Sequence, residues 1–183
     1  MEKLFIDFDG TIISSISTYC KTYNHLFRNE LNFKEANPKL VKQYNMKDEC
    51  PLVDSPLYIF NQPYFFKHIE FMPDAEEVIK QLCKKYLTII CSIGTYENIA
   101  LKSKFIQENM FYINDAVLII NQGCEMNKQI VNMGNSIFLD DVESNLYSTN
   151  AKTKILFGET YDWNKNWTGN RCLNWLEVAN RLL

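Results

Sequence analysis

The chain has 183 residues, 46% of them hydrophobic and 22% charged, and a formal net charge of −3. That length and balance fit one folded domain with room for a small insertion, and they speak against a protein that tracks a nucleic-acid polymer, which needs clustered basic residues. A small anionic substrate stays open, because a local cation can dominate a site whatever the net charge.

The chain opens with "MEKLFIDFDGTIIS", an apolar strand run interrupted by Asp7 and Asp9. Asp9-Gly10 between apolar segments is also a hairpin-turn signal, and the local sequence does not decide between a turn and a pair of working carboxylates. From Ser14 to about Glu70 the pattern changes. Ile16, Tyr19, Cys20, Tyr23, Leu26 and Phe27 repeat at helical spacing, a polar and proline-bearing stretch follows, and then comes the aromatic "SPLYIFNQPYFF". This is too long for a simple crossover connection. It reads as a mostly helical subdomain, 14–70, inserted into a core made of 1–13 and 71–183. Of Tyr58, Phe60, Tyr64, Phe65 and Phe66, at least half are expected to pack that subdomain. Phe65 and Phe66, just before the return to the core, are the candidates for stacking on a substrate.

In "PDAEEVIKQLCKKY", Ala75, Val78, Ile79, Leu82, Cys83 and Tyr86 form one helical face, with Asp74 the expected cap and Glu77 its capping-box partner. "LTIIC" (87–91) reads as a buried strand, followed by a helix capped by Thr95 with Ile99, Phe105, Ile106 and Met110 on its apolar face. Further buried runs are "VLIIN" (117–121), "SIFLD" (136–140) and "KILF" (154–157). Trp175, Leu176, Ala179, Leu182 and Leu183 mark a closing helix, and Trp163, Trp167 and Trp175 read as packing of the C-terminal tail. Continuous apolar runs alternating with helices predict an α/β fold, a Rossmann-like parallel sheet of five strands with helices on both faces. No run is long enough to span a membrane and none reads as a signal peptide, so a soluble, cytoplasmic protein is expected. The cysteines lack CxxC spacing and read as reduced thiols, and His25 and His68 have no zinc-type partners.

Ligands in an open α/β sheet bind beyond the carboxyl ends of the strands. Alternation places Asp7 and Asp9 there together, with Gly10 turning the backbone away. "LTIIC" is followed at once by Ser92, "SIFLD" ends in Asp140-Asp141, and Lys128 precedes that strand. Singly, each has an ordinary reading: a helix cap for Ser92, a surface lysine, a turn. As an ordered set at one sheet edge they do not. Carboxylates this close repel unless a cation sits among them, and Mg²⁺ suits an all-oxygen donor set.

"DFDGT", Ser92, Lys128 and Asp140-Asp141, in that order, resemble the four motifs of the haloacid dehalogenase (HAD) superfamily of phosphohydrolases, over the whole chain, with 14–70 in the place of the helical cap. "YFFKHIEFMPDAEEVIKQL", "TIICSIGT", "IFLDDVESN" and "YDWNKNWTGNRCLNWLEVA" are further similar to its 5′(3′)-deoxyribonucleotidase branch, although Asp74 stands where that branch usually has glycine and Ile93 where many members have a second hydroxyl. The resemblance implies Asp7 as nucleophile, Asp9 as general acid and base, and Ser92, Lys128 and Gly10 around the phosphate. It implies Mg²⁺ held by Asp7, Asp9 (through its main-chain carbonyl) and Asp141, with Asp140 assisting. The implied substrate is a nucleotide, acted on without a nucleic-acid polymer or a membrane by a monomer or homodimer. Two other readings share the fold: a phosphatase for another small phosphate ester, and a binding protein on an inactive scaffold.

Overall fold

The computed structural model describes residues 1–121 and 127–183. In chain order the elements are β1 (Lys3–Ile6), α1 (Ser15–Phe27), α2 (Pro56–Phe60), α3 (Pro63–Lys67), α4 (Ala75–Lys85), β2 (Leu87–Gly94), α5 (Tyr96–Asn109), β3 (Asp115–Ile120), β4 (Ser136–Asp140), α6 (Glu143–Ser148), β5 (Thr153–Phe157), β6 (Asn170–Cys172) and α7 (Trp175–Leu182), with one-turn 3₁₀ helices at Pro38–Leu40 and Lys128–Ile130. The strands form one sheet in the order β3-β2-β1-β4-β5-β6, and every pairing is parallel.

Among the described residues the sheet has six strands, not five. The addition is β6, three residues that pair with β5 through Ile155, Leu156 and Phe157. "NRC" carries no apolar run, because an edge strand this short is held by its backbone bonds and not by two buried faces. The central strands do carry such runs: Leu4 and Ile6 pack on one side with Ile90 and Leu139, while Phe5, Ile89 and Phe138 pack on the other. β1 lies between β2 and β4, so the chain crosses in opposite directions on its two flanks. That reversal opens a crevice at the carboxyl end of β1, beside Asp140 at the end of β4.

The segment between Ser14 and Glu70 contains α1, α2, α3 and a 3₁₀ turn. Its entry and exit are tied together: Ser14 N–H donates to Glu70 O at 2.9 Å, and Met72 N–H to Ile12 O at 2.9 Å. Tyr19, Phe60 and Phe65 meet as tilted and edge-on rings at 5.2 and 5.3 Å, and they share one apolar cluster with the sheet. Asn98 of α5 donates to Phe60 O at 2.8 Å, and Thr95 to Asn61 Oδ1 at 2.8 Å, fixing α2 above the end of β2.

Local expectations are met unevenly. Thr95 caps α5, its hydroxyl accepting from Asn98 N–H at 3.3 Å. Asp74 does not cap α4: its backbone is left-handed (φ 64°) and its side chain makes no cap hydrogen bond. α4 instead gains stability by burying Ala75, Val78, Ile79 and Leu82 and packing on α7, where the Tyr86 hydroxyl donates to Leu182 O at 2.9 Å. Trp175 is fully buried and its indole N–H donates to Thr11 O at 2.9 Å, so α7 also braces the turn after Asp9. Cys20, Cys50, Cys83, Cys91 and Cys172 are free thiols; Cys124 lies outside the described residues. Among the described residues no helix is long and apolar enough to cross a membrane.

Candidate active site

β1 delivers Asp7 one residue past its last sheet position, and Asp7 N–H still donates to Leu139 O of β4 at 2.8 Å. The chain then turns: Ile12 and Ile13 N–H both donate to Phe8 O, and Gly10 N–H donates to Ile13 O, each at 3.1 Å. "DG" is therefore a turn, but it leads out of the sheet into α1 and not back along β1. Gly10 has φ +71°, and a Cβ there would stand 2.8 Å from Asp141 Cγ. Glycine is required at this position on both counts.

Two buried lysines organise the carboxylates. Lys128, with no exposed surface, donates to Asp7 and, at 2.6 Å, to Asp140 Oδ2. Asp140 is saturated: it also accepts from Val142 N–H at 2.8 Å and from the Asn145 amide at 3.1 Å. Burial by itself would pull the Lys128 ammonium down, but the Asp140 and Asp7 carboxylates outweigh it and raise its proton affinity. The second lysine, Lys102 of α5, is equally buried and lies 2.5 Å from Asp9 Oδ2 and 2.8 Å from Ser92 Oγ. Each lysine thus has its own carboxylate of the "DFD" pair. A lysine on a helix facing a strand end reaches that site without any sequence neighbour to signal it.

Asp7, Asp140 and Asp141 each place an oxygen within 4.8 Å of the others. Burial pushes the Asp7 carboxyl up to about 7, Asp140 and Asp9 add to the rise, and Lys128 opposes it. Asp141 is raised in the same direction, first by burial and then by Asp140 and Asp7. Three carboxylate oxygens gathered this closely suit a hard divalent cation, which offsets their mutual repulsion. The Asp9 carboxylate stands outside this group, turned onto Lys102.

A cavity of about 80 Å³ is lined by Asp7, Asp9, Asp141, Tyr44, Met46, Phe60, Ile93, Asn145 and Trp163, among others. It shares Tyr44, Ile93, Val142, Asn145 and Trp163 with an open groove of about 570 Å³ that runs past Gly94 and Thr95. A third cavity, about 620 Å³, opens on the flank of Gly10 and Asp141 toward Lys39 and Glu159. Ser92 lies inside β2, fully buried, and not at the helix end. Phe65 and Phe66 are buried in the apolar core and do not line the cavity at Asp7. The aromatic residues that do are Phe60, Tyr44 and Trp163. Trp163, read from sequence as tail packing, stacks on Tyr161 at 4.4 Å, meets Tyr44 edge-on at 5.8 Å, and points its indole N–H at Asp141 Oδ2 at 3.4 Å. No spacing in the sequence brings residues 44 and 163 together.

Residues 1–183 match the family model described as 5′ nucleotidase, deoxy (pyrimidine), cytosolic type C protein. The chain belongs to that family. It is thus a hydrolase of phosphomonoesters, as the four motifs imply. A 5′(3′)-deoxyribonucleotidase of Clostridium acetobutylicum is 27% identical over 164 residues, covering 89% of this chain and 85% of that protein. Among solved structures, a haloacid dehalogenase-like hydrolase of Streptococcus pneumoniae superposes with a TM-score of 0.68 at 13% identity, covering 100% and 99% of the two chains. A HAD-superfamily hydrolase of Geobacter sulfurreducens gives 0.65 at 10% identity, covering 100% and 97%. At such identities the two structures speak for the fold alone.

Proposed function

We propose that this family member dephosphorylates (deoxy)nucleoside monophosphates through an aspartyl-phosphate on Asp7, with Mg²⁺ as cofactor. The observation that carries the reading is the convergence of Asp7, Asp9 and Asp141 on one small cavity, with a separate buried lysine on each of the first two. At about 30 Å³ per water, that cavity has the bulk of a phosphoryl group and not of a nucleoside. The adjoining groove has the volume of a small-molecule site, generally about 300–1,000 Å³, and its Tyr44 and Trp163 rings offer faces for a base. Residues 14–70 act as the cap that supplies one wall, through Tyr44, Met46 and Phe60.

Asp7 attacks phosphorus in line with the leaving oxygen, dividing one hard displacement into two easier ones. Lys128 favours the ionised form of Asp7 and aims it, and Asp140, held by Val142 and Asn145, keeps Lys128 in place. Asp9 gives a proton to the leaving alcohol oxygen and then takes one from the attacking water. Ser92 donates to a phosphoryl oxygen, and the turn at Gly10 leaves space for the group. Asp7 and Asp141, with Asp140 behind them, would hold Mg²⁺, which when bound would offset charge on the phosphoryl oxygens.

The test is phosphate release from a panel of deoxynucleoside and nucleoside monophosphates with Mg²⁺, beside sugar phosphates. Turnover of nucleotides, lost in Asp7→Asn, is expected. Release from sugar phosphates alone would remove the nucleotide assignment, and full activity in Asp7→Asn would remove the mechanism.

A further inference from the structure

Lys102 is the least expected charge in the molecule. Its side chain has no solvent exposure, its ammonium sits 5.4 Å above the Phe8 ring, and its two polar partners are Asp9 Oδ2 and Ser92 Oγ. A buried ammonium is costly unless paired, so a lysine here requires a compensating partner. The partners themselves are left in an unusual condition. Asp9 has one oxygen committed to Lys102, while the other, Oδ1, is buried and has no hydrogen-bond partner. Such an orphan oxygen is rare in a folded protein, and it borders the cavity that Asp7 and Asp141 share. Ser92 Oγ accepts from Lys102, so the serine's single O–H is left to donate elsewhere.

Building on the phosphomonoesterase reading above, we propose that Lys102 is a positioning residue for phosphoryl transfer. It grips Asp9 by one oxygen so that the other meets the leaving alcohol, and it turns the Ser92 proton toward the phosphoryl group. In the first step an Asp7 oxygen bonds to phosphorus and the bond from phosphorus to the alcohol oxygen breaks. Its electron pair stays on that oxygen, which takes the proton from Asp9 Oδ1. In the second step a water oxygen bonds to phosphorus, the water proton passes to Asp9 Oδ1, and the electron pair of the Asp7–phosphorus bond returns to Asp7. Lys102 keeps its charge and its two partners throughout.

A lysine that merely fills space would matter equally for every substrate; one that aims a general acid would not. The experiment compares kcat/KM for a deoxynucleoside 5′-monophosphate, whose alcohol needs a proton to leave, with that for p-nitrophenyl phosphate, whose phenolate does not. General acid catalysis contributes about 10²–10⁴-fold, so Lys102→Met is expected to lose about 100-fold or more on the nucleotide and less than about tenfold on the aryl ester. Equal losses on both would overturn the proposal. Wild-type protein inert toward both esters would instead overturn the phosphomonoesterase reading, and wild-type turnover of a different alkyl phosphate would remove only the nucleotide assignment, with the same comparison then made on that ester. Should Lys102→Met not fold, Lys102→Gln is measured alone and in an Asp9→Asn background. A residue acting through Asp9 costs little more once Asp9 is gone, and an undiminished cost there would equally overturn the assignment.

Discussion

The Lys128 ammonium lies 2.6 Å from Asp140 Oδ2 with neither side chain exposed, and the same nitrogen donates to Asp7. One cation thus serves two buried carboxylates from neighbouring strands. Replacing it by the similarly sized methionine leaves both without a counter-charge, and breaking a buried pair in this way costs about 3–5 kcal/mol. At about 2–4 °C per kcal/mol for a domain of this size, Lys128→Met is expected to melt about 10 °C below wild type and to lose turnover. Thermal unfolding followed by circular dichroism measures the first, and an unchanged melting temperature would contradict the pairing energetics.

Gly10→Ala tests the close approach of the turn to Asp141. The left-handed backbone at φ +71° costs an alanine roughly 1–2 kcal/mol. The larger effect is local, because the new methyl would stand 2.8 Å from Asp141 Cγ and must push that carboxylate aside. The expected phenotype is a modest drop in stability with a marked rise in the Mg²⁺ concentration needed for half-maximal activity. An unaltered Mg²⁺ requirement would show that Asp141 does not depend on this contact.

Much of the fold is legible in the sequence because the evidence for it is local. The runs around Phe5, Ile89 and Phe138 are buried on both faces, and each strand announces its polar end within a residue or two. β6 is not legible: Asn170–Cys172 is an edge strand defined by pairing with β5, and pairing leaves no mark on three residues. The helix start at Asp74 misleads for a different reason. The residue type suits a cap, but its left-handed backbone leaves the carboxylate without a cap bond. In the site, Asp7, Asp9 and Asp140 follow from strand ends, whereas Lys102, Tyr44 and Trp163 arrive from a helix face and two long connections whose paths only tertiary packing sets.

The helical segment contributes a share of the alkaline sensitivity. Tyr19 has no exposed surface and burial holds its hydroxyl well above the ordinary 10.0. Cys50 is held above the ordinary 9.0, first by a hydrogen bond with Cys20 and then by burial. Both are acids whose proton the folded state keeps after the unfolded chain has released it. The unfolded state then binds fewer protons, so stability falls as pH rises past about 9. Melting temperature is expected to drop between pH 9 and about 11, with a smaller slope in Tyr19→Phe, which removes one ionisation. A slope identical in that variant would assign the alkaline loss to other groups. Below about pH 8 neither group contributes appreciable slope.

The acidic cluster gives the opposite end of the pH scale a signature. Asp7, pushed up to about 7 by burial and its neighbours, keeps a proton that the unfolded chain releases near the ordinary 3.8. In chelator, this group's contribution to stability is therefore present below about pH 4 and is lost as pH rises toward 7. Mg²⁺ reverses the preference, because it binds the carboxylate and must displace that proton. Its affinity is expected to climb with pH up to about 7 and then level off, with protons released on binding at pH 6 and few at pH 8. Calorimetric titration in buffers of different ionisation enthalpy reads both quantities at once. Asp7→Asn should flatten the climb, and Asp141→Asn, removing a ligand that is raised in the same sense, should weaken binding at every pH. Mg²⁺ affinity independent of pH in the wild-type protein would show that the proton on Asp7 and the cation do not compete for one site.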